Sequence, residues 1–291
     1  MTGVSECGQQ RGNLKDNGYT IYGLDRVIAR MNHRIVRRFN MFESSLDISE
    51  ETGIIEGRKF NNLDWSNEHQ PDLVFKSCVI IDSKFSGANL NGLRLINCQV
   101  FNCDFIEANI SNGEFENTLF YSKDSQKGCD FHSADLRSSK FICCDISTSN
   151  FYRAELFDIT IDRCQAQGCH FELADFTKVV SRKVIFSSAT LTKSNFKYSD
   201  FEGVYLEKCD LSESNLVSVV LSGVNLEGSN LTNTIFSPSR YDGLSIFKAD
   251  LRNAEISNID VRLLDFSGVE IFEWQMIPLM EEMGFIIHPD N

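Results

Sequence analysis

The sequence predicts an all-β solenoid, a rod built of short stacked repeats. Three observations carry that prediction. Large apolar residues recur at every fifth position, small buriable residues recur two positions before them, and Asp or Asn very often stands between the two. A period of five is neither the 3.6 of an amphipathic helix nor the 2 of an ordinary strand. A small and a large residue two apart can still point to one side, as on one face of a strand. The repeating unit is therefore small–polar–large–x–x, with two inward slots and three outward ones.

The large series is unbroken in phase from Phe131 to Ile271, through Phe151, Phe171, Phe186, Phe201, Leu211, Leu221, Leu231 and Leu251; only Ala166 and Ser181 in it are small. Upstream, Phe75 to Phe120 keep the same step in a phase shifted by one. Phe60 and Trp65 extend that series, and Gln70 misses it. The chain has 10 cysteines, and eight of them (Cys78, Cys98, Cys103, Cys129, Cys144, Cys164, Cys169 and Cys209) fall in the small slot. A free Cys there acts as a small buried hydrophobe. No CxxC pair suggests zinc, and no metal or other cofactor is expected. Free thiols in such number point to a reducing, cytoplasmic location.

This unit resembles the consensus A-(D/N)-L-x-x of the pentapeptide-repeat family, over about residues 75–271. The resemblance implies a right-handed quadrilateral parallel β-helix in which four units make one square coil. At roughly 4.8 Å per coil, about ten coils make a rod on the order of 50 Å long. Gly168, Gly203, Gly223, Gly228, Gly243 and Gly268 follow the large residue and suit corner turns that need positive φ. The expected organisation is an N-terminal extension at 1–59, the β-helix at 60–271, and a closing segment at 272–291.

Solenoids keep their cores regular and place function on faces and insertions. The rhythm breaks first at "YSKDSQKGC", residues 121–129, where Phe120 and Phe131 stand eleven apart. A polar loop carrying Lys123, Asp124, Ser125, Gln126 and Lys127 is expected to bulge out there. At "KVVSRKV", residues 178–184, the phase survives, but the large slot holds Ser181 beside Arg182 and Lys183. At "SPSRYDG", residues 237–243, Tyr241 takes the large slot. Ser181 and Tyr241, three coils apart by count, are expected on one face. Outward acids stack as well: Asp135, Glu155 and Asp175 form one expected column, and Asp210, Asp250 and Glu270, with Asn230 among them, form another. These columns are read either as a negative ladder comparable to a phosphate backbone or as a solvated face.

The ends depart from the period. "FEWQMIPLMEEMGFIIHPDN" places Trp274, Ile277, Met280 and Met283 on a helical stripe, with Pro278 near the helix start, Gly284 as a stop and "FII" as a short strand. The stripe either caps the last coil or makes a symmetric dimer contact. Residues 23–42 carry Leu24, Val27, Ile28, Met31 and Ile35 at helical spacing among five arginines, reading as a cap over the first coil or as a partner-binding, membrane-surface or delivery segment.

The closing segment resembles that of the Qnr quinolone-resistance proteins and the related microcin-immunity protein, through Gln275, then Leu279, Met280 and Glu281, then Met283, Gly284, Phe285 and Ile286. In that group the segment makes a head-to-head dimer and two loops project from the rod. The resemblance implies a homodimer through Trp274, Ile277, Leu279, Met280, Met283, Phe285 and Ile287. It also implies binding of a type II topoisomerase (DNA gyrase or topoisomerase IV) by an acidic, DNA-like rod that shields the enzyme from quinolones or peptide toxins. The alternative is an interaction scaffold or secreted bacterial effector directed by its N-terminal region.

Net charge is −13. Residues 1–59 hold nine Lys/Arg against eight Asp/Glu, which leaves 19 basic and 33 acidic residues in 60–291. So acidic a rod argues against nucleic-acid binding and for a basic protein partner. No run approaches the roughly 18 apolar residues of a membrane span, and no apolar leader segment opens the sequence. No P-loop, GxSxG or HExxH is present, and the five His are scattered, so no enzyme activity is expected.

Overall fold

The computed structural model describes residues 54–288 apart from Lys183. The basic helix expected at 23–42 lies outside the described residues, as does most of the N-terminal extension. The chain winds as a four-sided parallel β-helix of about ten coils. The first wall is a seven-stranded sheet from Ile54–Glu56 to Ala189–Thr192. The second carries Lys59–Asn61, Val79–Ile81 and Gln99–Phe101 at one end and Asn215–Val217, Ile235–Ser237 and Glu255–Ile256 at the other. The third and fourth walls are ladders of single parallel bridges, such as Asp64–Lys84–Asp104 and His69–Asn89–Asn109. Partners along a wall stand 20 residues apart, as Phe75 to Leu95 and Leu216 to Phe236 do.

The inward slots fill a single core. Phe85, Phe105, Phe131, Phe151, Phe171 and Phe201 stack along the third wall with centroids 4.8, 5.0, 5.0, 4.9 and 4.7 Å apart. That spacing is the rise of one coil, so each ring sits over the one before. Burying each ring contributes roughly 1.5–3 kcal/mol. The small slot lies against backbone, and its thiols donate to carbonyls: the Cys169 Sγ–H reaches the Ile146 oxygen at 3.0 Å. Burial pushes the Cys209 thiol up to about 12, which keeps it inert.

Two local devices explain the rest of the unit. At most corners the residue two after the large one takes a left-handed conformation, as at Asn62, Arg153 and Lys193 with φ of 55, 56 and 53. Such a turn costs a non-glycine residue about 1–2 kcal/mol, which Asn bears best and the stacked coils offset. The Asp or Asn before the large residue accepts from the N–H two residues on, as Asp104 Oδ1 does from Ile106 at 2.9 Å and Asn150 Oδ1 from Tyr152 at 3.0 Å. The polar slot thus satisfies an amide that the ladder leaves open.

The register slips twice. Asp104 pairs with Asp130, 26 residues on, so six residues leave the second-to-third corner. His170 pairs with Asp200, 30 residues on, so ten leave the fourth-to-first corner. The ten form an antiparallel hairpin, Thr177–Ser181 with Val184–Ser187. Ser181 and Phe186 are therefore not inward-facing, and both are exposed. Ser181 does not share a face with Tyr241 either. Tyr241 stays in the third wall above Leu221, and its hydroxyl accepts from the Asp260 N–H at 2.9 Å.

At the far end, a 3-10 turn, Val261–Leu263, replaces a regular unit, and helix α1 (Glu273–Glu282) follows. Pro278 lies inside α1 rather than at its start. It leaves the Trp274 carbonyl without that amide, which matters little because Trp274 is exposed. Gly284, at φ 91, ends the helix, and its N–H bonds the Glu281 carbonyl at 2.9 Å. Residues 285–288 form no strand.

Candidate functional site

The loop at 121–128 is small and tied down. Ser122 and Lys127 form an antiparallel bridge, and the Ser125 hydroxyl donates to Asn102 Oδ1 at 2.8 Å. Where it rejoins the wall, a Cβ on Gly128 would stand 2.4 Å from Ser149 Oγ and 2.5 Å from the Ser147 oxygen, so only glycine fits. Lys123, Asp124, Ser125, Gln126 and Lys127 are all exposed.

The hairpin is larger and carries a group of apolar side chains. Val179, Val180, Val184, Ile185 and Phe186 are all exposed, with Arg182 at the turn; Lys183 lies outside the described residues. Its base is held by Asp175, whose Oδ1 accepts from the Thr177 N–H at 2.8 Å and hydroxyl at 2.6 Å. Phe186 meets Phe157 edge-on at 5.4 Å, and Lys178 Nζ lies 5.5 Å from the Phe157 ring. The sequence reading named only Ser181, Arg182 and Lys183 here. The missed signal was Val180 and Ile185 in the polar slot, where a wall unit usually has Asp or Asn.

The acidic columns do stack. Asp135, Glu155 and Asp175 are bridged in order along the fourth wall, and Asp210, Asn230, Asp250 and Glu270 along the first. The two columns lie on adjacent walls, and each is interrupted by an arginine. Arg137 donates to both Asp135 oxygens at 2.9 and 2.6 Å and reaches Glu155 at 3.1 Å. Arg252 grips Asp250 at 2.9 and 2.6 Å and reaches Glu270 at 3.5 Å. The Arg252 guanidinium holds the Asp250 carboxyl below the usual carboxylate range, and Asp135 raises Arg137 in turn. Repulsion within the columns is thus partly cancelled in place, and Asn230 donates to Asp210 at 3.0 Å in the same way.

At the closing segment, Gln275 is the one buried residue of α1. Its Nε2 donates to the Leu251 and Ala254 carbonyls, each at 2.8 Å, and its Oε1 accepts from the Asn253 and Phe272 N–H groups at 3.0 and 2.8 Å. One side chain closes four backbone groups at the rod's end. Trp274, Ile277, Met283 and Phe285 are exposed, while Leu279, Met280 and Ile287 are half-buried. Phe272, Met276 and Ile286, outside the dimer set expected from the sequence, widen the exposed apolar surface.

A square coil of five-residue units with thiols, Ala and Ser in the small slot places this chain in the pentapeptide-repeat family, to which it belongs. The family profile for pentapeptide repeats matches residues 83–120, 169–207 and 199–237. Within the family, the chain is similar to quinolone-resistance proteins. It is 33% identical over 129 residues to the pentapeptide repeat protein QnrB4 of Escherichia coli, covering 44% of this chain and 60% of that one. It is 33% identical over 124 residues to QnrB96 of Scandinavium goeteborgense, covering 43% and 58%. The match thus spans less than two thirds of either curated relative. A structure of QnrB1, a plasmid-mediated fluoroquinolone resistance protein, superposes with TM-score 0.64 at 33% identity, covering 72% of this chain and 99% of that one. The full-length QnrB1 structure gives 0.62 at 31%, covering 79% and 100%.

Proposed function

We propose that this chain is a binding protein that docks on DNA gyrase or a related type II topoisomerase as an acidic rod and protects it from quinolones or peptide toxins in the cytoplasm. The observation that carries the reading is the superposition on QnrB1, which extends over nearly all of that chain at 33% identity. An acidic rod with two excursions and a closing helix supports it. The columns on the first and fourth walls present carboxylates at coil spacing, as a charged ladder would. Lys123, Asp124, Ser125, Gln126 and Lys127 in the loop and Ser181 and Arg182 in the hairpin reach beyond the walls, and they are proposed, with Lys183, as contact points for the partner.

The exposed apolar residues of the closing segment are proposed to meet a second copy, giving a homodimer through Trp274, Ile277 and Phe285, with Met283 beside them. Two measurements test these readings. Gyrase supercoiling is titrated with the protein, with and without a fluoroquinolone; protection at micromolar protein is expected, and neither binding nor rescue would reject the topoisomerase reading. Trp274→Glu with Ile277→Glu is expected to halve the solution mass by light scattering. An unchanged mass would reject the dimer.

A further inference from the structure

The second wall changes character along its length. Near the end where the described chain begins, Val79, Ile81, Phe101, Leu119 and Tyr121 flank the buried Ile80, Val100 and Phe120 on three successive coils. Neighbours in a strand point to opposite faces, so these five side chains face outward. Leu119 is 40% exposed and the other four are half-buried. Half-buried Ile96 extends the patch at the corner before the wall. On the next three coils the same slots hold Asp145, Ser147, Gln165, Gln167, Asn195 and Lys197. Polar residues serve the backbone there: Asp145 Oδ1 accepts from the Ser147 N–H at 3.1 Å, and Asn195 Oδ1 from the Lys197 N–H at 3.3 Å. Val79 and Leu119 forgo that bond and offer apolar surface instead, of the kind that marks a contact.

The chain itself carries a match for this patch, tied close beside it. Ile54, the first described residue, lies on the first wall, and Lys59–Asn61 starts the second wall one coil before Val79–Ile81. Residues 1–53 precede it, and among them Leu24, Val27, Ile28, Met31 and Ile35 form the apolar stripe at helical spacing. At about 1.5 Å per residue, a helix from Leu24 to Ile35 would be about 16 Å long, and three coils of wall occupy about 14 Å. Arg26, Arg30, Arg34 and Arg37 fall beside the stripe rather than in it. Residues 43–53 reach up to about 36 Å when extended, enough to carry the stripe along all three coils. So short a tether holds the segment at an effective concentration on the order of millimolar, an advantage that no separate partner has.

We propose that residues 23–42 lie along the apolar part of the second wall of the same chain, with Leu24, Val27, Ile28, Met31 and Ile35 against Val79, Ile81, Phe101, Leu119 and Tyr121. The segment is then neither a cap over the first coil nor a free arm. It closes the second wall to other partners over these coils and leaves the first and fourth walls open. The assignment is independent of the topoisomerase reading.

Two measurements on the full chain test the contact. Leu119→p-benzoylphenylalanine places a photoreactive group on the patch, and Gln167→p-benzoylphenylalanine, exposed further along the same wall, is the control. On irradiation of mixed isotopically light and heavy protein, position 119 is expected to link to residues 23–42 of its own chain, and position 167 is not. A link between chains would put a second copy on the patch and overturn the proposal. So would the lack of a link from 119 to 23–42, or an equal link from 167. Val27→Asp with Met31→Asp changes only the segment and leaves the rod's own residues intact. Trypsin is expected to cut this variant after Arg34, Arg37 and Arg38 about tenfold or more faster than wild type, because cleavage follows the population of the released segment. Equal cutting overturns the proposal.

Discussion

The two excursions differ in one number. The loop at 121–128 removes six residues from the rod and the hairpin removes ten. Six is not a multiple of five, so the loop shifts the phase and announces itself. Ten is two whole units, so the hairpin passes through the repeat silently, with Phe186 in step with Phe151 and Phe171. Periodicity reports which residues can face inward. It does not report which of them do.

The sharpest break of this comparison is a pair of identical substitutions in one phase. Phe151→Ala removes a ring stacked between Phe131 and Phe171 at 5.0 and 4.9 Å and is expected to cost about 3–5 kcal/mol in urea unfolding. Phe186→Ala, 42% exposed, is expected to cost less than about 1 kcal/mol. Similar losses would mean that the hairpin belongs to the core.

The end of the rod offers the next contrast, because Gln275 does for a terminus what the walls do for each other. Gln275→Ala leaves four backbone groups open and is expected to cost about 1–3 kcal/mol. Hydrogen exchange at Asn253 is expected to quicken before exchange at amides nearer the middle of the rod does.

Excision is milder. Deleting 178–187 or 122–127 restores an unbroken series of units across each junction, so both truncated rods are expected to fold with Tm within about 5 °C of wild type. Gyrase protection is expected to fall in both. A collapse in Tm for either would show that the excursion supports its corner.

The smallest effect is electrostatic. Arg262, by hydrogen bonding, holds Asp260 down at about 2. A depressed carboxyl stabilises the fold above its unfolded value, near 4, and that contribution fades as pH falls toward 2. The 3-10 turn at Val261–Leu263 is therefore expected to loosen over that window in wild type, as amide chemical shifts would register. Asp260→Asn should remove the pH dependence.

Most of the wall was legible because the repeat is chemical as well as periodic. Asp104 and Asn150 cap amides, Cys169 fills a slot against a carbonyl, and Asn62 bears a left-handed corner. Each choice is local, so one sequence suffices to read it. The hairpin was legible only in part: Ser181 in the large slot marked a break at 178–184, but the phase survives it, and Val180 and Ile185 in the polar slot were the signs of an excursion that went unread. Three of the four Gln275 bonds reach residues more than 20 positions away, and no local pattern encodes those; only the fourth, from the Phe272 N–H, is local. Arg137 and Arg252 were passed over for a similar reason: each follows its aspartate by two positions, but its second carboxylate lies one coil away.

A twenty-residue coil also makes the rod a ruler with discrete marks. Duplicating one coil between Ser188 and Ile271 would carry the closing helix about 4.8 Å further from the hairpin and leave every wall facing as before. Duplicating a single unit would instead turn everything downstream by a quarter revolution. Descendants of such a chain can tune the reach between two contact points only in whole steps, so related rods should differ in length by multiples of twenty wherever both contacts are kept.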